Sequence, residues 1–92
     1  MGIVFEWDGI KAKTNVIKHN VSFEEATTVF GDINSITIYN PLRSPNEKRF
    51  VTIGLSAKIR TLVVEHTERG EKIRIISARV ASRKERKQYY ET

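Results

Sequence analysis

The sequence predicts an α+β fold: a mostly antiparallel sheet, two helices toward the N-terminus and one short helix toward the C-terminus, in the order β-α-α-β-β-β-β-α. Apolar residues recur at helical spacing in the first third of the chain, and β-prone runs separated by turn residues fill the rest. The S-x-x-E pattern that opens helices occurs at Ser22 and again at Ser82.

Val4-Phe5-Glu6-Trp7 is a short β-prone run, and Asp8 stands where an N-cap would start a helix over roughly Ile10 to His19. Ile10 and Ile17, seven apart, share one face of it. Asn20 tolerates the left-handed conformation that ends a helix, and Ser22 with Glu25 forms a capping box for a second one. Phe23, Ala26, Val29 and Phe30 then make a buried stripe, which Gly31-Asp32 terminates. Ile36 to Tyr39 reads as a strand. A loop from Asn40-Pro41 through Pro45-Asn46 follows, with Arg43 near its middle. Three longer strands are expected at about Lys48 to Leu55, Arg60 to Glu68 and Lys72 to Ala78. Arg69-Gly70-Glu71 is short enough to be a hairpin turn, which makes the last two strands antiparallel neighbours. Ser82 with Glu85 starts a final helix of about nine residues. That helix carries Tyr89 and Tyr90, and it is too short to stand without packing on the sheet.

The 92 residues fit one domain, residues 1–92, with one modest core. Cysteine is absent and the two histidines, His19 and His66, lie far apart in sequence. Neither a disulfide framework nor a metal site is therefore expected, and no cofactor is implied. No apolar run is long enough to span a bilayer, and the first residues lack the basic and apolar regions of a signal peptide. The expected location is the cytoplasm. The formal charge of +5 is unevenly placed: residues 69–92 hold eight Lys/Arg and three acids, whereas residues 1–68 hold eight of each. A cationic field concentrated in the last quarter favours a polyanion such as nucleic acid, or an acidic protein surface; a solvated helix face would carry the same charges.

No Gly-rich phosphate loop, metal-ligand cluster or nucleophile motif is found. What remains is a set of cations near aromatic and acidic groups. Such a set suits phosphodiester chemistry on RNA, where the 2′-hydroxyl of the substrate is the nucleophile and the protein orients it, stabilises phosphate charge and moves protons. Arginine serves the second task well and proton transfer poorly, so His, Glu, Lys or Tyr must share the work. Each candidate also has a structural reading. His66 alternates with Leu62 and Val64 as a buried strand residue would, and His19 sits where a helix dipole favours a cation. Arg74 and Arg79 could be solvent-facing or ion-paired. Arg83, Lys84, Arg86 and Lys87 could form a solvated face above a tyrosine anchor.

Phe5-Glu6-Trp7-Asp8 with Lys11 and Asn15, the run Lys18-His19-Asn20-Val21-Ser22-Phe23-Glu24-Glu25-Ala26, then Val29-Phe30 and Asp32, occur in that order. Glu47, Arg49, Ile53-Gly54, Glu68-Arg69, Ile73-Arg74-Ile75-Ile76-Ser77-Ala78-Arg79, Glu85-Arg86 and Tyr89 follow. This order resembles the BrnT family of toxins along nearly the whole chain. The family usually has Gly where Asn20 stands, a change that the backbone at a helix end accommodates.

The resemblance implies a fold similar to the RelE-type ribonuclease toxins and a metal-independent endoribonuclease that slows translation by cutting RNA. It also implies a BrnA-type antitoxin that covers the active surface and binds DNA to repress its own operon, so that DNA is met only through the toxin–antitoxin complex, a heterotetramer. On this resemblance Arg49, Arg79 and Arg86 bind phosphate and stabilise the transition state, and His19 transfers a proton or positions substrate. Arg69, Arg74, Arg83 and Lys87 are expected to contact RNA. The alternatives from other classes are a non-catalytic basic module that binds nucleic acid or an acidic partner, and a structural subunit of a heteromeric complex. Turnover of RNA separates the toxin from both.

Overall fold

The computed structural model describes residues 2–43 and 46–91. Pro45, in the expected loop, lies outside them. Strand β1 (Val4–Glu6) leads into helix α1 (Gly9–His19) and helix α2 (Phe23–Thr28), and a 3-10 turn, Val29–Gly31, extends α2. Strands β2 (Ile36–Tyr39), β3 (Arg49–Leu55), β4 (Thr61–Arg69) and β5 (Lys72–Val80) follow, and helix α3 (Arg83–Tyr90) closes the described chain. The expected loop after β2 holds a 3-10 turn over Pro41–Arg43.

Local chemistry accounts for the helix ends. The Asp8 carboxylate accepts from the backbone N–H of Ile10 at 2.8 Å and of Lys11 at 3.3 Å, and Asn20 closes α1 in the left-handed region at φ 55°. At Ser82 the capping box is complete, because Glu85 N–H donates to the Ser82 hydroxyl and the Glu85 carboxylate accepts from the Ser82 backbone. At Ser22 only half of the box forms. The Ser22 hydroxyl accepts from Glu25 N–H, but the Glu25 carboxylate turns inward to Ser56 and Arg60 instead of back to the cap. Arg60 grips both carboxylate oxygens and also donates to the Asn20 carbonyl, which ties the β3–β4 turn to the α1–α2 corner. The Arg60 hydrogen bonds hold the Glu25 carboxyl below its ordinary range, outweighing the opposing effect of burial. A long-range salt partner took precedence over the local cap.

The sheet order is β1-β5-β4-β3-β2, antiparallel except for the β1–β5 edge pair. Gly70, at φ 63°, makes the tight β4–β5 turn, and Arg69 pairs directly with Lys72 across it. A register shift between Glu65 and His66 leaves Ile76 as an extra residue on β5, a bulge that bends that strand.

The sheet has two differently covered faces. On one, Leu62, Val64, Ile75 and Ala78 pack under Val21, Phe23, Ala26 and Val29 from the α1–α2 layer. On the other, Ile53 and Val63 pack with Ala81 and with Tyr89 of α3. Gly54 permits the first packing, since a Cβ there would fall 2.7 Å from Val29 Cγ1. Asn15, 5% exposed, stitches α1 to the sheet: its amide donates to the carbonyls of Val21 and Ala78 and its carbonyl accepts from Ala78 N–H. His66 lies on the α1–α2 side, as a buried strand residue. Its Nε2 lies 2.7 Å from the Thr52 hydroxyl, and its ring stacks on Phe50 and meets Phe30 edge-on. Burial pushes its pKa down to about 4, so the ring is neutral at pH 7.

Candidate functional site

The second face of the sheet is only partly roofed by α3, and the uncovered part carries charged side chains. Register fixes the arrangement, because residues directly opposite across antiparallel strands share a face. Val51, Glu65 and Ser77 form one cross-strand row, and Val63 with Arg79 forms the adjacent row. Arg49, opposite Thr67, extends the face toward the hairpin end. Asn40, Val51, Val63, Glu65, Ser77 and Arg79 line an open cleft of about 210 Å³.

Glu65 is the acidic centre of this cleft. Its side chain is 13% exposed; one carboxylate oxygen lies 3.4 Å from the Ser77 hydroxyl and the other 3.6 Å from Nη1 of Arg49. Arg49 also lies 4.0 Å from Glu47. Across the cleft, Arg79 is held in a fork by Glu85 of α3, with Nη1–Oε1 at 2.7 Å and Nη2–Oε2 at 2.8 Å. These bonds raise the Arg79 pKa further, and they hold the Glu85 carboxyl down at about 2 with help from Ser82, against the opposing effect of burial. The guanidinium stays charged and keeps its orientation, and it still has donors beyond the two that Glu85 takes.

Helix α3 is positioned from below. Tyr89, buried beneath the helix, donates its hydroxyl to the Asp32 carboxylate, which also accepts from Leu55 N–H and Asn34 N–H. Burial alone would raise the Asp32 pKa; the hydrogen bonds outweigh it and the net direction is down. The same Asp32 bond and burial push Tyr89 up to about 12, so it remains a neutral donor. Tyr90 is 67% exposed. One tyrosine is thus the anchor, and the other faces solvent.

Of the residues the sequence singles out, Arg49 and Arg79 flank the cleft, and Arg86 is exposed on the helix that roofs the same face. Arg74 pairs with Glu6 at 2.9 Å at the β1 edge, and Arg69 lies 3.5 Å from Glu47 near the β4–β5 hairpin. Arg83 and Lys87 are exposed one helical turn apart on α3. His19 is exposed at the end of α1, in the layer that covers the opposite face, so the sheet separates it from the Arg49–Arg79 cleft. The sequence reading assigned no site role to Glu65, to Ser77 inside its motif or to Asn40 at the start of its loop. For Glu65 a signal existed: an acid two residues after inward-pointing Val63 falls on a covered face of a strand.

Among the described residues, no group of three or more His, Cys, Asp or Glu is placed to hold a metal ion, and no helix is long and apolar enough to cross a membrane. Fold and site together define a small α+β protein with an arginine-flanked carboxylate set in a sheet cleft. Residues 7–85 match the family model described as the ribonuclease toxin BrnT of a type II toxin-antitoxin system, and the chain belongs to that family. The match takes in Arg49, Glu65, Ser77, Arg79 and Glu85 and stops short of Arg86, Lys87 and Tyr89. The fold is similar to the 1.1 Å crystal structure of the ribonuclease toxin BrnT of Brucella abortus, with a TM-score of 0.66 and 22% identity over 89% of this chain and 100% of that one. No curated protein matches the chain.

Proposed function

We propose that this chain is a metal-independent endoribonuclease of RelE-like fold, a single toxin domain that acts in the cytoplasm, cuts RNA and thereby inhibits translation. A BrnA-type antitoxin neutralises it in a heterotetramer, and DNA is bound only through the antitoxin. The observation that supports the chemistry is the cleft in which Glu65 stands between Arg49 and Ser77 with Arg79 across from it.

In this reading the scissile phosphate sits between Arg49 and Arg79, whose charge offsets the negative charge gained when the 2′-oxygen attacks. Glu65 accepts the 2′-hydroxyl proton, and Ser77 orients the carboxylate. The 2′-oxygen bonds to phosphorus as the 5′-oxygen leaves, taking a proton from water in the open cleft; the products are a cyclic 2′,3′-phosphate and a 5′-hydroxyl. Glu65 takes the proton-transfer role that the resemblance gave to His19, which lies in the other layer. Arg86, Arg83 and Lys87 on α3, with Arg69 and Arg74 on the sheet, track the backbone, and exposed Tyr90 offers a stacking surface for a base.

The test is cleavage of bulk RNA in excess chelator by the parent chain, by Glu65→Gln, and by Arg79→Ala combined with Arg86→Ala, each with its far-UV circular dichroism spectrum. The parent cleaves; Glu65→Gln loses on the order of a hundredfold or more of the rate, and the double variant loses at least about a hundredfold. Folded variants that cut at the parental rate overturn the residue assignment. A folded parent that binds RNA without cutting it favours the binding module.

A further inference from the structure

Helix α1 turns its least polar stripe away from the protein. Its inner face is accounted for by Ala12, packed on the core, and by Asn15, bonded to Val21 and Ala78. Ile10 and Ile17, seven positions apart, point the other way, 77% and 85% exposed, and Val16 beside them is 45% exposed. Lys13 lies within this arc, and Lys11 and Lys18 lie on its other flank; residues 9–19 contain no acid. Serine or glutamate at positions 10 and 17 would serve a solvated helix equally well. This apolar pair at heptad spacing has Lys13 on one side and Thr14, then Lys18 and Lys11, on the other, and its charges within the helix are all positive; it is the complement of a helix with an apolar seam bordered by acids.

We infer that the outward face of α1 is a docking site for an acidic amphipathic helix of a protein partner, which lays its apolar seam along Ile10 and Ile17 and pairs its carboxylates with Lys11, Lys13 and Lys18. RNA is a poorer fit, because two aliphatic side chains at the centre of the patch offer nothing to a phosphate backbone. That the partner is the antitoxin rests on the toxin–antitoxin reading above; the chemistry of the surface does not. Since α1 covers the face opposite the Arg49–Arg79 cleft, a partner held here grips the toxin without occupying the cleft, and a second segment of it is free to reach round the sheet.

The experiment uses the full chain and the product of the reading frame that neighbours its own, produced together and separately. Binding is measured by calorimetry for the parent, for Ile10→Ser with Ile17→Ser, and for Lys13→Glu, and RNA cleavage is measured for each free variant. The serine pair weakens binding by on the order of a hundredfold and Lys13→Glu by about tenfold, both variants cleave RNA as the parent does, and amides of α1 exchange more slowly with solvent in the complex. No binding, or binding by both variants within about twofold of the parent, overturns the inference, as does loss of RNA affinity in place of partner affinity. A parent that binds the partner with this dependence but never cuts RNA overturns the nuclease reading alone.

Discussion

Replacing Asn15 by Ala removes the only side chain that bonds α1 to both Val21 and Ala78 among the described residues. The side-chain amide donates to the Val21 carbonyl at 2.9 Å and the Ala78 carbonyl at 2.7 Å, and its oxygen accepts from Ala78 N–H at 3.1 Å. Val21 is fully buried and Ala78 is 1% exposed, so water cannot take over these groups without opening the corner. Each backbone group left unpaired costs about 1–3 kcal/mol, and partial relaxation of α1 recovers some of it, so the loss is about 3–5 kcal/mol. That is a large part of the ~5–15 kcal/mol that holds a domain of this size together. Urea denaturation should show a lower midpoint at unchanged slope. Asn15→Asp sharpens the test. It keeps an acceptor for Ala78 N–H but has no donor for either carbonyl at pH 7, so it should be at least as unstable as the Ala variant there and should recover as the carboxyl protonates. A loss below about 1 kcal/mol for Asn15→Ala would refute the reasoning, since it is less than one unpaired group costs. Functionally, Ala78 precedes Arg79, and a slack corner would loosen the cleft.

The remaining predictions concern pH and backbone strain. His66, with its pKa pushed down to about 4 from 6.5, is neutral when folded, so the unfolded chain takes up the proton first as pH falls. Stability is therefore fully present above about pH 6.5 and declines toward pH 4, by about 3 kcal/mol in all at ~1.4 kcal/mol per unit. Urea midpoints should fall between about pH 6.5 and about pH 5 for the parent and stay nearly flat there for His66→Phe, in which Thr52 keeps its Thr37 hydroxyl partner. Below about pH 5 the lowered carboxyls of Glu25, Asp32 and Glu85 make both fall; equal slopes above that pH would place the titrating group elsewhere. Ile59, 77% exposed, sits at φ 62° in the turn between β3 and β4, a conformation that penalises a β-branched residue. Ile59→Gly should raise stability by about 0.5–1 kcal/mol, or roughly 2–8 °C in a thermal melt; an unchanged or lower midpoint would show that the turn carries no such strain.

The helix starts at Asp8 and Ser82, the left-handed end at Asn20 and the hairpin at Gly70 were legible because each depends on groups within about four residues of one another. Strand runs were legible to within a residue or two for the same reason. The half-formed capping box at Ser22 shows the limit of that logic. Its pattern matches the one at Ser82, yet Glu25 is claimed by Arg60 and Ser56, more than thirty positions away. At the site, the arginines were visible as charge, whereas Glu65 and Ser77 were hidden among strand residues.

By itself the sequence determined the α+β class, the absence of cysteine and the cationic last quarter, which follow from composition, local order and short-range backbone chemistry, and its ordered motifs carried the resemblance to the family. Tertiary structure alone decided what each face meets. Sheet order and register set Arg49, Glu65, Ser77 and Arg79 round one cleft, placed His19 in the opposite layer, and turned Ile10 and Ile17 outward. The physical reason is that a strand alternates its side chains and a helix repeats them every turn, so sequence gives the period of a face, while only long-range pairing decides what that face meets.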